Sequence, residues 1–191
     1  THVGGATASR ANGWRRGQAA QVELHAYRVF EQNAIYANNL SIRDAIVHAA
    51  QTGCCLINLS LGGGPWDRLI EVAVQTAWNL GAVCVAAPGN DGVPEVDVPG
   101  RYPYVLAISA FGLDGAWPSN TTCELEPVDA PARGKRINGK EVFLTGFSNY
   151  GPQISFTAPG SAIVSTMPGD KYGVMSGTSM AAPVATGVLA A

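Results

Sequence analysis

The chain has 191 residues, 47% of them hydrophobic and only 14% charged, with a net charge of −2. That length supports a sizeable core and so one domain or most of one, while near-neutrality gives no electrostatic case for nucleic acid or an anionic membrane. No apolar run approaches the roughly 20 residues needed to span a bilayer, and the opening Thr1-His2-Val3-Gly4-Gly5 carries no secretory signal pattern.

Residues 1–8 are almost all small, a composition that lets a helix pack very close to another. A polar connection spans 10–21, with Gly13 and Gly17 as turn points and Arg15 and Arg16 as a solvated face. Residues 22–30 partly alternate and are rich in β-formers, which predicts a strand with His25 as filling. Ser41 is expected to cap a helix running to residue 52, its apolar face made by Ile42, Ala45, Ile46 and Ala49, with His48 in the last turns. Gly53 ends it, and 54–60 reads as a buried strand. The strand runs into Leu61-Gly62-Gly63-Gly64, where side chains give way to exposed backbone.

Residues 66–80 have helical period through Leu69, Ile70, Ala73, Val74, Ala77 and Trp78, all expected in the core, and Gly81 stops the helix. The continuous apolar run 82–87 is another strand, so strand, helix and strand recur and predict a parallel sheet. Ligands bind at the carboxyl ends of such strands. Asn90 stands beyond one of them in Pro88-Gly89-Asn90-Asp91-Gly92, where asparagine is by default a turn residue.

Residues 104–111 read as a strand, and 112–146 as a long, partly mobile surface loop with Pro118, Pro127, Pro131, Cys123 and the solvated basic run Arg133-Gly134-Lys135-Arg136. Asn120-Thr121-Thr122 fits a glycosylation acceptor, a triplet frequent by chance. The four cysteines show neither zinc spacing nor Cys-x-x-Cys. Most are expected to be buried free thiols; a bridge to Cys123 stays open. Strands over 163–167 and 171–175 lead to Ser176-Gly177-Thr178-Ser179-Met180-Ala181-Ala182-Pro183, from which a helix of small residues runs to Ala191.

That octapeptide presents Ser179 at a helix start, where amides are unpaired and the dipole is positive, so negative charge developing beside the hydroxyl is stabilised. Pro183 cannot hydrogen-bond to the carbonyl four residues back, that of Ser179. A tripeptide Gly-Thr-Ser alone is an ordinary helix cap. The octapeptide is far more specific.

Gly177-Thr178-Ser179-Met180-Ala181-Ala182-Pro183 resembles the nucleophile motif of the subtilisin-like serine peptidases, the subtilases. Asn58-Leu59-Ser60-Leu61-Gly62-Gly63 and Ala86-Ala87-Pro88-Gly89-Asn90-Asp91-Gly92 resemble two further blocks of that family, in its order. Phe147-Ser148-Asn149-Tyr150-Gly151 and Ile154-Ser155-Phe156-Thr157-Ala158-Pro159-Gly160 extend the likeness, as does Asp97-Val98-Pro99-Gly100-Arg101-Tyr102-Pro103, similar to a family turn with a cis proline at Pro99. The resemblance implies an α/β fold, a parallel sheet flanked by helices and truncated at both ends, with 1–191 a partial peptidase domain and 112–146 a surface insertion.

For the site, the resemblance implies Ser179 as nucleophile and Asn90 as the oxyanion-hole donor. It implies that Ser60, Leu61 and Gly62 hold an extended polypeptide substrate by strand addition, and that Ala87, Pro88, Gly89 and Asp91 border the specificity pocket. Pro88 stands where alanine is common, and Asp91 would favour a basic side chain at the rim. The catalytic Asp and His would precede Thr1, in a propeptide-bearing or otherwise missing N-terminal segment, so this chain alone is expected to be nearly inactive; His2 is expected to be structural. A non-catalytic relative that binds peptides in the same groove is the alternative. No cofactor is implied, structural calcium is common in the family without an assignable site here, and the family resemblance implies secretion.

Overall fold

A computed structural model describes residues 1–10, 16–32, 34–115, 133–137 and 139–191. The order of elements is α1 (His2–Ala8), α2 (Asn39–Gln51), β1 (Leu56–Leu59), α3 (Arg68–Asn79), β2 (Val83–Ala86), β3 (Val105–Leu113), β4 (Arg133–Ile137), β5 (Lys140–Leu144), β6 (Ile154–Pro159), β7 (Ile163–Met167), β8 (Lys171–Met175) and α4 (Thr178–Ala190). β1, β2, β3 and β6 run parallel, as the recurrence of strand, helix and strand predicts. The far end of β3 carries β5 antiparallel, with β4 paired outside it, while β7 and β8 form a separate antiparallel pair.

Alternation along β2 sorts the core into two layers. Cys84 and Ala86 face a cluster with Ile42, Ile46, Ile70 and Val74 from α2 and α3. Val85 faces the other way, onto Ile108, Ala158, Ala181, Ala182 and Ala185, so α4 lies on the opposite face. The small residues of α4 let its backbone approach the sheet closely, and α1 packs behind it. Thr7 Oγ1 donates to Pro183 O at 3.1 Å, His2 Nε2 to Ile163 O at 3.0 Å and Ser165 Oγ to His2 O at 2.8 Å. His2 is therefore buried in a packing role.

Several boundaries differ from expectation for identifiable reasons. Asn38, not Ser41, caps α2, because its side chain accepts from Leu40 N at 2.8 Å one turn earlier. Asp67 does the same for α3, accepting from Leu69 N at 2.7 Å and Ile70 N at 3.3 Å. Leu69 and Trp78 are 45% and 46% exposed, outside the core they were expected to join; Trp78 instead stacks on Tyr104 with centroids 5.4 Å apart. The 22–30 segment forms no strand and pairs with none among the described residues. β-propensity supplies an extended backbone, but a ladder needs a neighbour. A cleft of about 1240 Å³ lies between that segment and β1, lined by Leu24, Ala26 and Val29 on one side and Leu56, Ile57 and Leu59 on the other.

The 112–146 stretch is not wholly a loop, since Gly112 and Leu113 pair with Phe143 and Val142 and so extend the sheet. The acceptor triplet at Asn120, Cys123 and the three prolines lie outside the described residues. Of the cysteines described, all three are free, but only Cys84 is buried; Cys54 is half-buried and Cys55 exposed. Burial pushes the Cys84 thiol up to about 12, which makes it inert as a nucleophile at neutral pH. The Val98–Pro99 peptide is cis, as the family turn implies.

Gly160 joins β6 to the helix bearing Ser179: its N–H donates to Phe111 O at 2.9 Å and its carbonyl accepts from Gly177 N at 2.8 Å. A methyl there would lie 2.6 Å from Ala110 Cβ and 2.9 Å from Gly177 O. Gly160→Ala is accordingly expected to lower unfolding free energy by about 1–3 kcal/mol, as read by urea denaturation; an unchanged midpoint would contradict this packing.

Candidate active site

α4 starts immediately after Gly177, whose φ of 152° is a conformation few side chains tolerate. Four amides at this end lack the usual helical acceptors. Gly177 N donates to Gly160 O and Thr178 N to Asn90 Oδ1, both at 2.8 Å, and Met180 N makes a shorter-span bond to Gly177 O at 3.0 Å. The remaining one, the Ser179 N–H, has no partner among the described residues.

Pro183 lies inside α4, so the Ser179 carbonyl has no intrahelical donor. Ser60 supplies one: its hydroxyl donates to Ser179 O at 2.8 Å, and the Ser179 hydroxyl makes a long return bond of 3.4 Å to Ser60 O. Ser60 Oγ in turn accepts from Asn58 Nδ2 at 2.9 Å, and Asn58 Oδ1 from Thr186 Oγ1 at 3.1 Å. The end of β1 and the start of α4 are thus joined by a hydrogen-bonded row of side chains. Among the described residues no histidine hydrogen-bonds to Ser179 Oγ; His25 pairs with Glu23 and His48 with Tyr27.

Asn90 is oriented from the other side. Its Oδ1 accepts from both Thr178 N and Thr178 Oγ1, at 2.8 and 2.9 Å. With the oxygen so engaged, the amide Nδ2 is left as a donor facing solvent, and Asn90 is exposed. The loop carrying it is held by the fully buried Asn149. The Asn149 Oδ1 accepts from Asp91 N at 2.8 Å and Val93 N at 3.3 Å, while its Nδ2 donates to Pro88 O at 3.2 Å.

Two backbone strips leave the parallel sheet side by side. Leu59 and Ala86 are in register, and Ala87 N donates to Leu59 O at 3.2 Å. Beyond that point the strips Ser60–Leu61–Gly62 and Ala87–Pro88–Gly89 splay apart, with residues 97 and 98 wedged between them. Gly63 N donates to Val98 O at 3.1 Å and Asp97 N to Pro88 O at 2.8 Å. A methyl on Gly62 would lie 3.5 Å from Asp97 Cβ, and one on Gly89 would run into the Asp97 carboxylate and the Asn149 amide. Partial burial raises the Asp97 carboxyl above the ordinary carboxylate range, with Asp91 and Glu95 adding to the effect and Arg101 opposing it.

Ser179, Asn90, Ser60, Leu61, Gly62, Ala87, Pro88 and Gly89 are therefore brought to one edge of the sheet. Pro88 is fully buried, and Asp91 lies exposed at the rim. Sequence reasoning assigned no role to Asn149 or Asp97. Asn149 had a signal, the Phe-Ser-Asn-Tyr-Gly block, but its bonds to residues 88–93 are long-range and unreadable in one dimension. Among the described residues no group of three or more His, Cys, Asp or Glu side chains gathers as a metal site.

A hydroxyl at a helix mouth, an adjacent free amide and a strip of backbone thus lie together at one edge of the sheet. The model of the Subtilase family matches residues 1–191, and the chain belongs to that family. It is 38% identical over its whole length to a thermophilic serine proteinase of Bacillus sp. (strain AK1), of which it covers 41%. It is 32% identical to thermitase of Thermoactinomyces vulgaris, over 98% of this chain and 58% of that one. The structure of sphericase matches all of this chain and 61% of its own at a TM-score of 0.78 and 27% identity. The chain thus spans about half the length of the relatives it matches.

The bond from Ser60 to the Ser179 carbonyl is testable by a double-mutant cycle. Ser60→Ala is expected to cost about 1–3 kcal/mol in unfolding free energy, since it leaves a carbonyl unsatisfied. In a Pro183→Ala background the helix recovers its own N–H donor, and the same change is expected to cost about 1 kcal/mol less. Equal costs in both backgrounds would show that Ser60 does not serve that carbonyl.

Proposed function

We propose that this chain is the nucleophile-bearing part of a serine endopeptidase that hydrolyses peptide bonds through an acyl-enzyme on Ser179. The observation that carries the reading is the fixing of Ser179 and Asn90 by one another's neighbours: Thr178 holds the asparagine oxygen, which leaves the asparagine amide and the Ser179 N–H as two adjacent free donors. An extended substrate adds to the Ser60–Leu61–Gly62 strip through main-chain hydrogen bonds. Ser179 Oγ then attacks the scissile carbonyl carbon and gives up its proton to a histidine base. Asn90 Nδ2 and the Ser179 amide hold the oxygen as it becomes anionic. The amine leaves with a proton from the histidine, and water attacks the acyl-enzyme by the reverse proton path.

The histidine and the aspartate that orients it come from residues preceding Thr1, as the family resemblance implies. Among the described residues no strand pairs with the outer edge of β1, and that edge and the cleft of about 1240 Å³ beside it support this reading, because they leave room for further chain alongside the sheet. We also infer a secreted or extracytoplasmic protein, in keeping with its relatives. Among the described residues no helix is long and apolar enough to cross a membrane.

Removing the base from such a site costs on the order of a million-fold in turnover, a magnitude taken from subtilisin, a relative of this chain. A fluorophosphonate probe is expected to label Ser179 in a longer polypeptide that includes the preceding residues, and barely to label residues 1–191 alone. Equal labelling of both would contradict the missing base, and no labelling of either would favour a peptide-binding relative. In the longer polypeptide Asn90→Ala is expected to lower kcat by about 10²–10³ with little change in KM, a range again drawn from subtilisin. A change confined to KM would remove Asn90 from the oxyanion hole.

A further inference from the structure

We propose that Asn149 is a positioning residue for catalysis, and that its buried amide governs kcat by fixing where the Asn90 side chain stands. The inference rests on the peptidase reading above and adds a residue to its machinery. Asn90 lies in 87–104, a stretch without helix or strand between β2 and β3, so the sheet alone does not determine its place. Asn149 bonds to the chain on either side of Asn90 and skips Asn90 itself. Its backbone N–H donates to Gly89 O at 3.1 Å and its Nδ2 to Pro88 O at 3.2 Å, while its Oδ1 accepts from Asp91 N at 2.8 Å and Val93 N at 3.3 Å. Gly92 N donates to Phe147 O at 2.8 Å and Tyr150 N to Val93 O at 3.0 Å, so 147–150 is a template on which 88–93 is laid. The fit has no slack, since a methyl on Gly89 would run into Asn149 Nδ2. The task needs an amide: a carboxylate has no proton to donate to Pro88 O, and an aliphatic isostere neither donates nor accepts.

The template is itself referred to β3. Ala110 N donates to Ser148 Oγ at 3.1 Å, and Ala110 O accepts from Thr145 N and Thr145 Oγ1 at 3.2 and 3.1 Å. The next carbonyl, Phe111 O, accepts from Gly160 N at 2.9 Å, and Gly160 O accepts from Gly177 N at 2.8 Å, just before the helix that carries Ser179. Neighbouring residues of one strand therefore place both oxyanion donors: the Ser179 N–H through Gly160, and Asn90 Nδ2 through Ser148 and Asn149. Both donors must converge on a single oxygen, within about 2.7–3.1 Å of where it becomes anionic. A displacement of about 1 Å at such a site can cost on the order of 10²-fold in rate. Among the described residues Asn149 makes no hydrogen bond to the Ser60–Leu61–Gly62 strip that holds the substrate backbone. The loss on removing its amide therefore falls on kcat rather than on KM.

The test is a double-mutant cycle of Asn149→Ala with Asn90→Ala in the full-length polypeptide, assayed with a chromogenic peptide amide. Fluorophosphonate titration counts the reactive Ser179 in each variant, so that kcat refers to competent sites only, and cooperative thermal unfolding establishes that each variant is folded. Asn149→Ser, whose hydroxyl keeps a polar group in the cavity, takes the place of Asn149→Ala if the alanine variant does not unfold cooperatively. In the unaltered background Asn149→Ala is expected to lower kcat by about 10- to 100-fold with KM kept within about threefold. That loss stays below the roughly 10²–10³-fold given above for Asn90→Ala from subtilisin, because Asn149 acts through that donor. In the Asn90→Ala background the same change is expected to lower kcat by less than about threefold. Equal losses in both backgrounds, a change confined to KM, or an unchanged kcat would show that Asn149 serves folding alone; a labelled Ser179 would then leave the peptidase reading intact. A polypeptide whose Ser179 takes no label overturns the peptidase reading and the role of Asn149 together.

Discussion

The hydroxyl of Ser60 stands in for an amide that α4 does not have. Pro183 removes the donor that a continuous helix would have offered the Ser179 carbonyl, and Ser60 reaches across from the end of β1 to replace it at 2.8 Å. A helix that satisfied its own first turn would be free to slide or tilt by small amounts on the smooth alanine surface beneath it. One that borrows a donor from the sheet is registered to it. The row continues through Asn58 to Thr186, so the contact is anchored two residues back along the chain and about two helical turns onward.

The parallel sheet supplies the second constraint. Because β1 and β2 run in the same direction and in register, their chains emerge at the same edge, and the segments beyond both strands are carried into one neighbourhood. Ser60–Leu61–Gly62 and Ala87–Pro88–Gly89 would remain a tight pair if nothing separated them. Residues 97 and 98 separate them, through one backbone hydrogen bond to each side. Asn149 then fastens the loop beyond, with both ends of its amide engaged deep in the protein. The exposed Asn90 is thus oriented by buried groups, and surface chemistry is given geometric definition by interior packing.

Such a site runs against the local preferences of the chain. Gly177 at φ 152° and Gly89 at φ 108° are held in conformations that disfavour side chains, a helix carries a proline in its second turn, and a carboxylate is partly withdrawn from water. Each of these costs stability. The compensation lies in the small, closely packed core on either side of β2, where Ala86, Ala107, Ala181 and Ala182 are fully buried. Concentrating strain where strands end and helices begin, and close packing behind it, is the division expected of a site shaped by function.

The elements were legible in the sequence to the extent that they rest on local patterns. Apolar runs announced β1 and β2, periodicity announced α3, and Gly177 to Pro183 announced a helix opening near Ser179, because neighbours in the chain determine these features. The cap of α2, the exposure of Trp78 and the unpaired state of residues 22–30 were not legible, since each depends on what lies beside the element in space. The same holds at the site. The resemblance of three sequence blocks to the family singled out Ser179, Asn90 and the Ser60–Leu61–Gly62 strip. Only the tertiary structure decided that Ser60 completes the Ser179 helix, that Asn149 holds the loop of Asn90, and that Asp97 lies between Gly62 and Gly89. Those contacts join residues dozens of positions apart, and a one-dimensional pattern carries no distance between its parts.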